Sequence, residues 1–347
     1  MIWYTQLTRT ADGSWAADSE LHNLLRGTDL EVRGVYDVEE PQKHYDISTE
    51  GILFDASSPK PDDDVTRWNC SDLYFAHIPT FSEKVRQKPQ IVTMGNKQIV
   101  GTYQDVQISP DGEFMTFLFM PYEDDANVRL YLGHLDSLDA LDVFRELIGR
   151  EPRLVPSGVK FSGSSDSLIL TTEDCGRVTL QSLKLQSSEY PNMVFNSAGV
   201  PSHYPLLLRL QSFEDPVTIF KNGSVADFYP LVEGSWDKLF VSSTSFVDNS
   251  LWQVIDTRQT VEPKVLSSAT RHGAKFGLKH SMVSEFWYEG ADEVCVHSFV
   301  IKPSNFDPAK KYPWVLVPHG GPVGAWNDGW SARVSSPPAL SSFKARS

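Results

Sequence analysis

The chain has 347 residues, 31 Lys and Arg against 45 Asp and Glu, a net charge of −14, and 40% apolar residues. It is longer than the roughly 250–300 residues at which one hydrophobic core stops growing, so a lone small module is excluded. Gly and Pro, 22 of each, stand near average usage and exclude collagen-like, low-complexity and disordered classes, while an acidic surface repels phosphate backbones and anionic lipid, so neither nucleic acid nor a membrane is an expected partner.

The N-terminus, MIWYTQLTRT, has no basic stretch followed by an apolar one, and the most apolar run, Phe114–Met120, is far too short to cross a bilayer. Neither a signal peptide nor a membrane span is expected in the chain as written. From Ile2, the segment IWYTQL alternates apolar with polar residues. A strand, a polar turn and a more apolar strand then recur: HYDISTEGILFDAS from His44, VQISPDGEFMTFLF from Val106, GVKFSGSSDSLILTT from Gly158 and a looser DFYPLVEGSWDKLFVSS from Asp227. Each predicts a β-hairpin, and Asp111-Gly112 supplies the turn residues.

About two dozen residues after the start of each hairpin a further alternating strand is predicted, namely DLYFAHI from Asp72, RLYLGHL from Arg129, RVTLQSL from Arg177 and LWQVIDT from Leu251. Equivalent positions Ser48, Ser109, Ser162 and Pro230 are 61, 53 and 68 residues apart. That is somewhat above the roughly 40–50 residues of ordinary propeller blades and matches four strands with long connections. Because hairpin and later strand recur in fixed order, the pattern predicts a β-propeller over residues 1–280 rather than a β-sandwich, with the first blade present only as closing strands at Ile2. Apolar Leu138, Leu141, Phe144, Leu147 and Ile148 predict a surface helix over 137–148, with Ser137 as N-cap. Cys70, Cys175 and Cys295 lack metal-ligand spacing and are expected as buried small hydrophobes with at most one disulfide.

From residue 281 the blade pattern stops. FWYEG, VCVHSFVIKP and WVLVP read as three strands leading into HGGPVGAWNDGW, the start of a second domain over 281–330, and an irregular Ser, Ala and Pro rich tail follows over 331–347. His319, Gly320, Gly321 and Pro322 directly follow an apolar strand. A glycine-rich loop in that place lets bare backbone approach an oxyanion closely. Asn69-Cys70-Ser71 and Asn222-Gly223-Ser224 are N-glycosylation sequons. Pro61–Asp64, PDDD, is expected to be a solvated loop, and with no GxGxxG, P-loop, HExxH or EF-hand pattern no metal or cofactor is expected.

The stretch FWYEGADEVCVHSFVIKPSNFDPAKKYPWVLVPHGGPVGAWNDGW closely resembles the start of the catalytic domain of the prolyl oligopeptidase family of serine peptidases, in its acylaminoacyl-peptidase branch, and the blade segments are similar to propeller blades of the same enzymes. The resemblance implies a mainly β chain: an incomplete propeller followed by the first strands of an α/β-hydrolase domain. It further implies a secreted enzyme that releases short peptides from N-termini through serine, histidine and aspartate. His319, Gly320 and Gly321 match the family's oxyanion loop, with Gly321 as the N–H donor. The family nucleophile sits in a GxSxGG elbow, and no Gly-x-Ser-x-Gly occurs here; FSGSSDS, Phe161–Ser167, lies in a blade turn. His319 is not the family's general base, which lies near the end of the hydrolase domain. The chain is therefore expected to be catalytically inactive, its tail the product of an incomplete or misread coding sequence. The alternative is a noncatalytic propeller that binds peptides or proteins.

Overall fold

The computed structural model describes residues 2–17, 20–32, 44–57, 70–78, 81, 87–95, 100–124, 127–144, 154–185, 215–232, 234–258, 262–320 and 324–330. These residues are mainly β. β1 (Trp3–Tyr4), β2 (Leu7–Arg9), β3 (Trp15–Ala17) and β4 (His22–Asn23) form two small antiparallel pairs, β1 with β4 and β2 with β3. The first large sheet comprises β5 (Glu31–Val32), β6 (Tyr45–Ile47), β7 (Gly51–Ser57), β8 (Asp72–His77) and β9 (Gln90–Ile91), in the order β5–β7–β8–β9 with β6 also on β7.

Three four-stranded sheets follow, each in sequence order. The second is β10 (Gly101–Ile108), β11 (Phe114–Pro121), β12 (Arg129–His134) and β13 (Asp139–Asp142). The third is β14 (Val155–Phe161), β15 (Ser167–Asp174), β16 (Arg177–Lys184) and β17 (Val217–Phe220). The fourth is β18 (Ser224–Val232), β19 (Ser235–Thr244), β20 (Leu251–Asp256) and β21 (Lys264–Ser268). β22 (Val283–Glu289) and β23 (Cys295–Ile301) form a two-stranded sheet of their own. Each recurring hairpin thus forms strands one and two of a meander, each later segment forms strand three, and HYDISTEGILFDAS and VQISPDGEFMTFLF lie in different sheets.

Two compact units emerge, residues 1–170 with 182–216 and residues 171–181 with 217–347, and the division falls within β15 and β16. In the first unit, β11 explains its apolar sequence. Met115, Phe117 and Phe119 point to a core shared with Leu53, Leu73 and Phe75 of the first sheet. Leu118, on the opposite side, joins Leu130 and Leu132 in a second core with Val159, Phe161, Leu168 and Leu170 of the third sheet. A strand buried on both faces reads as a continuous apolar run rather than as an alternation. The first strands β10 and β14 are sheet edges with outward N–H groups. Asp46 Oδ2 accepts from Ile108 N at 2.8 Å and Asp105 Oδ2 from Val159 N at 3.1 Å, so on each edge one N–H is satisfied by a carboxylate of the preceding sheet.

Several expectations are corrected. Residues 139–142 of the predicted helix are strand β13, with Leu141 paired to Leu132; residues 145–150 lie outside the described residues. The sheet's open third strand captures the segment, and Leu138 and Leu141 pack into different cores instead of one helix face. Pro230 is inside β18, opposite Leu239, and that hairpin turns later, between Val232 and Ser235. Cys175 and Cys295 are exposed and Cys70 is half-buried, all three as free thiols. Cys175 occupies a tight turn with Gly176, both at positive φ (46° and 69°), where no core can cover it. Of the three strands predicted after residue 281, two exist as β22 and β23, whereas Trp314–Val317 is no strand. Trp314, Val315 and Leu316 are 79%, 70% and 72% exposed, because among the described residues no neighbouring strand takes up their backbone groups.

Candidate functional site

The glycine-rich loop starts from that irregular segment. His319 and Gly320 are exposed, and His319 Nδ1 sits 2.9 Å from the Gly320 carbonyl oxygen. A Cβ added to Gly320 would meet nothing within 4 Å, so the space on that side of its Cα is open. Gly321 lies outside the described residues. The loop is closed at its base, where Trp326 Nε1 donates to the Val317 carbonyl at 2.9 Å.

Immediately after this closure the chain is docked. Asn327 Nδ2 donates to Glu173 Oε1 at 2.9 Å, Asp328 N to the Gly176 carbonyl at 2.6 Å, and Trp330 N to Thr244 Oγ1 at 2.8 Å. Asp328 Oδ1 accepts from Phe246 N at 2.8 Å, and its other oxygen lies 3.8 Å from Arg177 Nε. Arg177 also grips Glu285 with both terminal nitrogens, Nη1 to Oε2 at 3.2 Å and Nη2 to Oε1, while His297 Nε2 stands 3.1 Å from Glu285 Oε2. Its guanidinium lies 5.9 Å from the centre of the Phe299 ring, which packs edge-on against Phe246. Residues at 177, 285, 297 and 328 carry no local signal in the sequence, and only folding gathers them.

Their charges respond as the geometry demands. Arg177 holds the Glu285 carboxyl below the usual range, reinforced by His297 and partly opposed by burial; the Arg177 pKa rises in turn. Burial instead pushes Asp328 up, against the pull of the Phe246 N–H and of Arg177. Cys175, beside them, has its thiol pushed up by a hydrogen bond with Asp174, which makes it a poor nucleophile.

Serine, aspartate and histidine do meet, in an order unsuited to acyl transfer. Ser71 Oγ donates to Asp55 Oδ2 at 3.0 Å, and His44 Nδ1 lies 3.2 Å from Asp55 Oδ1. Ser268 Oγ donates to Asp248 Oδ2 at 2.5 Å, with His272 Nδ1 3.7 Å from the same oxygen. In both rows the carboxylate lies between, so the hydroxyl proton faces no imidazole. Ser162 and Ser167, both within FSGSSDS, donate to Asp166 Oδ1 at 2.9 Å.

Asn222 is exposed on the connection into β18, whereas Ser224 of the same sequon is buried with its Oγ accepting from Val178 N at 3.3 Å. Asn69 and Pro61–Asp64 lie outside the described residues. Among the described residues no three or more His, Cys, Asp or Glu gather as a metal ligand set, and no helix is long and apolar enough to cross a membrane.

This chain of successive antiparallel sheets has curated relatives among peptidases. The chain is 29% identical over 335 residues to dipeptidyl-peptidase 5 of Aspergillus fumigatus (strain ATCC MYA-4609 / CBS 101355 / FGSC A1100 / Af293), covering 92% of this chain and 40% of that protein. It is 26% identical over 341 residues to dipeptidyl-peptidase 5 of Trichophyton schoenleinii, covering 96% and 42%. The chain thus spans about two-fifths of the length of these relatives. Among solved structures, oligopeptidase B from Trypanosoma brucei is similar with a TM-score of 0.46 and 13% identity, over 78% of this chain and 33% of that one. No protein-family model matches the chain.

Proposed function

We propose that this chain is part of a secreted serine peptidase that releases short peptides from N-termini, comprising propeller blades over 1–280 and the start of an α/β-hydrolase domain over 281–330. The observation that carries this reading is the similarity to proteins named dipeptidyl-peptidase 5 over 92% of the chain. The face-to-face burial of successive meanders supports radial blades, since each sheet in a propeller packs on its neighbours. The His319-Gly320-Gly321 loop supplies an oxyanion donor, with Gly321 as the N–H, while the nucleophile, its base and the orienting acid lie outside residues 1–347. An oxyanion donor without a proton shuttle does not form an acyl-enzyme. The purified 347-residue chain is expected neither to label with a fluorophosphonate probe nor to release dipeptides from a chromogenic substrate, and a chain extended by a hydrolase domain does both. Stoichiometric labelling of the short chain, abolished by one serine-to-alanine change, would refute this.

Passage through a secretory pathway places a glycan on Asn222 and Asn69. Secreted from a eukaryotic host, the chain is expected to lose mass on treatment with an N-glycosidase, and Asn222→Gln to remove one step of that shift. An unchanged mass for the Asn222→Gln protein would leave that sequon unused.

A further inference from the structure

We infer that the open edge of β22 is a docking site for a second copy of this chain, whose Trp314–Val317 segment adds to it as an antiparallel strand, each copy of a two-fold dimer lending its segment to the other. The inference goes beyond the proposed function and does not rest on it. Two incomplete pieces of sheet carry it. Among the described residues β22 and β23 pair only with each other, so each has one edge without a neighbour. β22 is the more open of the two, with Phe286, Trp287 and Tyr288 44%, 52% and 46% exposed. Trp314–Val317 is the converse, a strand's sequence with no strand beside it and its first three side chains exposed as one apolar run. Single apolar side chains on a surface are ordinary, whereas a contiguous run together with an unpaired strand edge is the material of strand addition.

The register follows from bonds already made. Lys302 N donates to the Met282 carbonyl and Gly290 N to the Val294 carbonyl, so even-numbered residues of β22 bond across the hairpin, and Trp287 and Glu289 turn their N–H and C=O groups outward. In the added segment the Val317 carbonyl is already taken by Trp326 Nε1, so Val317 faces away from the edge and Leu316 and Trp314, by alternation, face it. Antiparallel pairing then sets Leu316 opposite Trp287 and Trp314 opposite Glu289. It also places Val315 beside Tyr288 and Val317 beside Phe286, the aromatic with β-branched pairs that stabilise sheets. Pro313 and Pro318, which lack an N–H, limit the added strand to these four residues. Charge sets the direction. Lys310 and Lys311 precede the segment, and the exposed Asp292 and Glu293 follow β22 in the hairpin turn, so antiparallel addition brings opposite charges together and parallel addition separates them.

Sedimentation equilibrium of the 347-residue chain from about 1 to about 100 µM tests this. A rise from one chain mass to two is expected. Amide exchange in peptides covering 286–289 and 314–317 is expected to slow at the high end, because N–H groups there gain acceptors. Leu316→Pro removes a donor that faces the edge and is expected to weaken the dimer about tenfold or more, whereas Val315→Pro, where the N–H faces away, weakens it less than about threefold. Lys311→Glu is expected to weaken it about threefold. All three positions are exposed and outside any strand, so these changes leave the fold intact. A monomer at every concentration, whether the edge stays open or the chain's own segment closes it, overturns the inference. Growth beyond the dimer overturns it as well, as does equal weakening by the two prolines, a dimer that Leu316→Pro leaves at parent affinity, or one that Lys311→Glu tightens or leaves unchanged.

Discussion

Replacing Phe117 by alanine is expected to destabilise the first unit by about 3–5 kcal/mol, a large share of the roughly 5–15 kcal/mol available to a domain. Phe117 is fully buried between the rings of Tyr103 and Tyr131, with centroids at 5.3 and 5.4 Å, in the core shared by the first and second sheets. Alanine there removes the apolar surface of a whole ring and leaves a cavity that two paired sheets cannot close, since their ladders fix the spacing of β11. Phe114, at the start of the same strand and only partly buried, provides the comparison; its alanine variant is expected to cost less than half as much. Urea unfolding measures both. A cost below about 1 kcal/mol for Phe117→Ala would show that the sheets do not pack face to face as described.

The second large effect depends on pH and on the charges around Arg177. Glu285 has a depressed carboxyl, so its contribution is present above the ordinary glutamate range and is lost as the pH falls through its lowered value. Asp328 behaves oppositely. Its carboxyl is raised by burial, so the folded state takes up its proton first, and acidification from neutral pH relieves a burial cost before Glu285 begins to titrate. Thermal melts from pH 7 to pH 3 are expected to show Asp328→Asn without that early gain and Glu285→Gln without the later loss near Arg177. Arg177→Ala, which removes a two-pronged ion pair and a ring contact, is expected to cost about 1.5–3 kcal/mol at pH 7. If Glu285→Gln follows the parent melt at every pH, the ion pair contributes nothing to stability.

The sequence by itself determined the local elements. Period-2 alternation marks the hairpins at His44, Val106 and Gly158, and Asp111-Gly112 marks the turn of the second, because side chains of a strand alternate by geometry and such a tight turn requires positive φ, as Gly112 shows at 79°. The family resemblance was legible for the same reason, carried by a contiguous stretch ending in HGGPVGAWNDGW. Tertiary structure decided what local pattern leaves degenerate. Leu138, Leu141 and Phe144 fit a helix by spacing, yet an unfilled position beside β12 made 139–142 a strand. Trp314–Val317 has a strand's composition, and with no neighbouring strand to pair with it among the described residues it forms none. Arg177, Glu285 and Asp328 lie 108 and 43 residues apart in sequence, and an attraction between charges has no period. Burial gives those charges their meaning, raising one carboxyl and leaving another depressed beside the same guanidinium, and burial belongs to the folded chain alone.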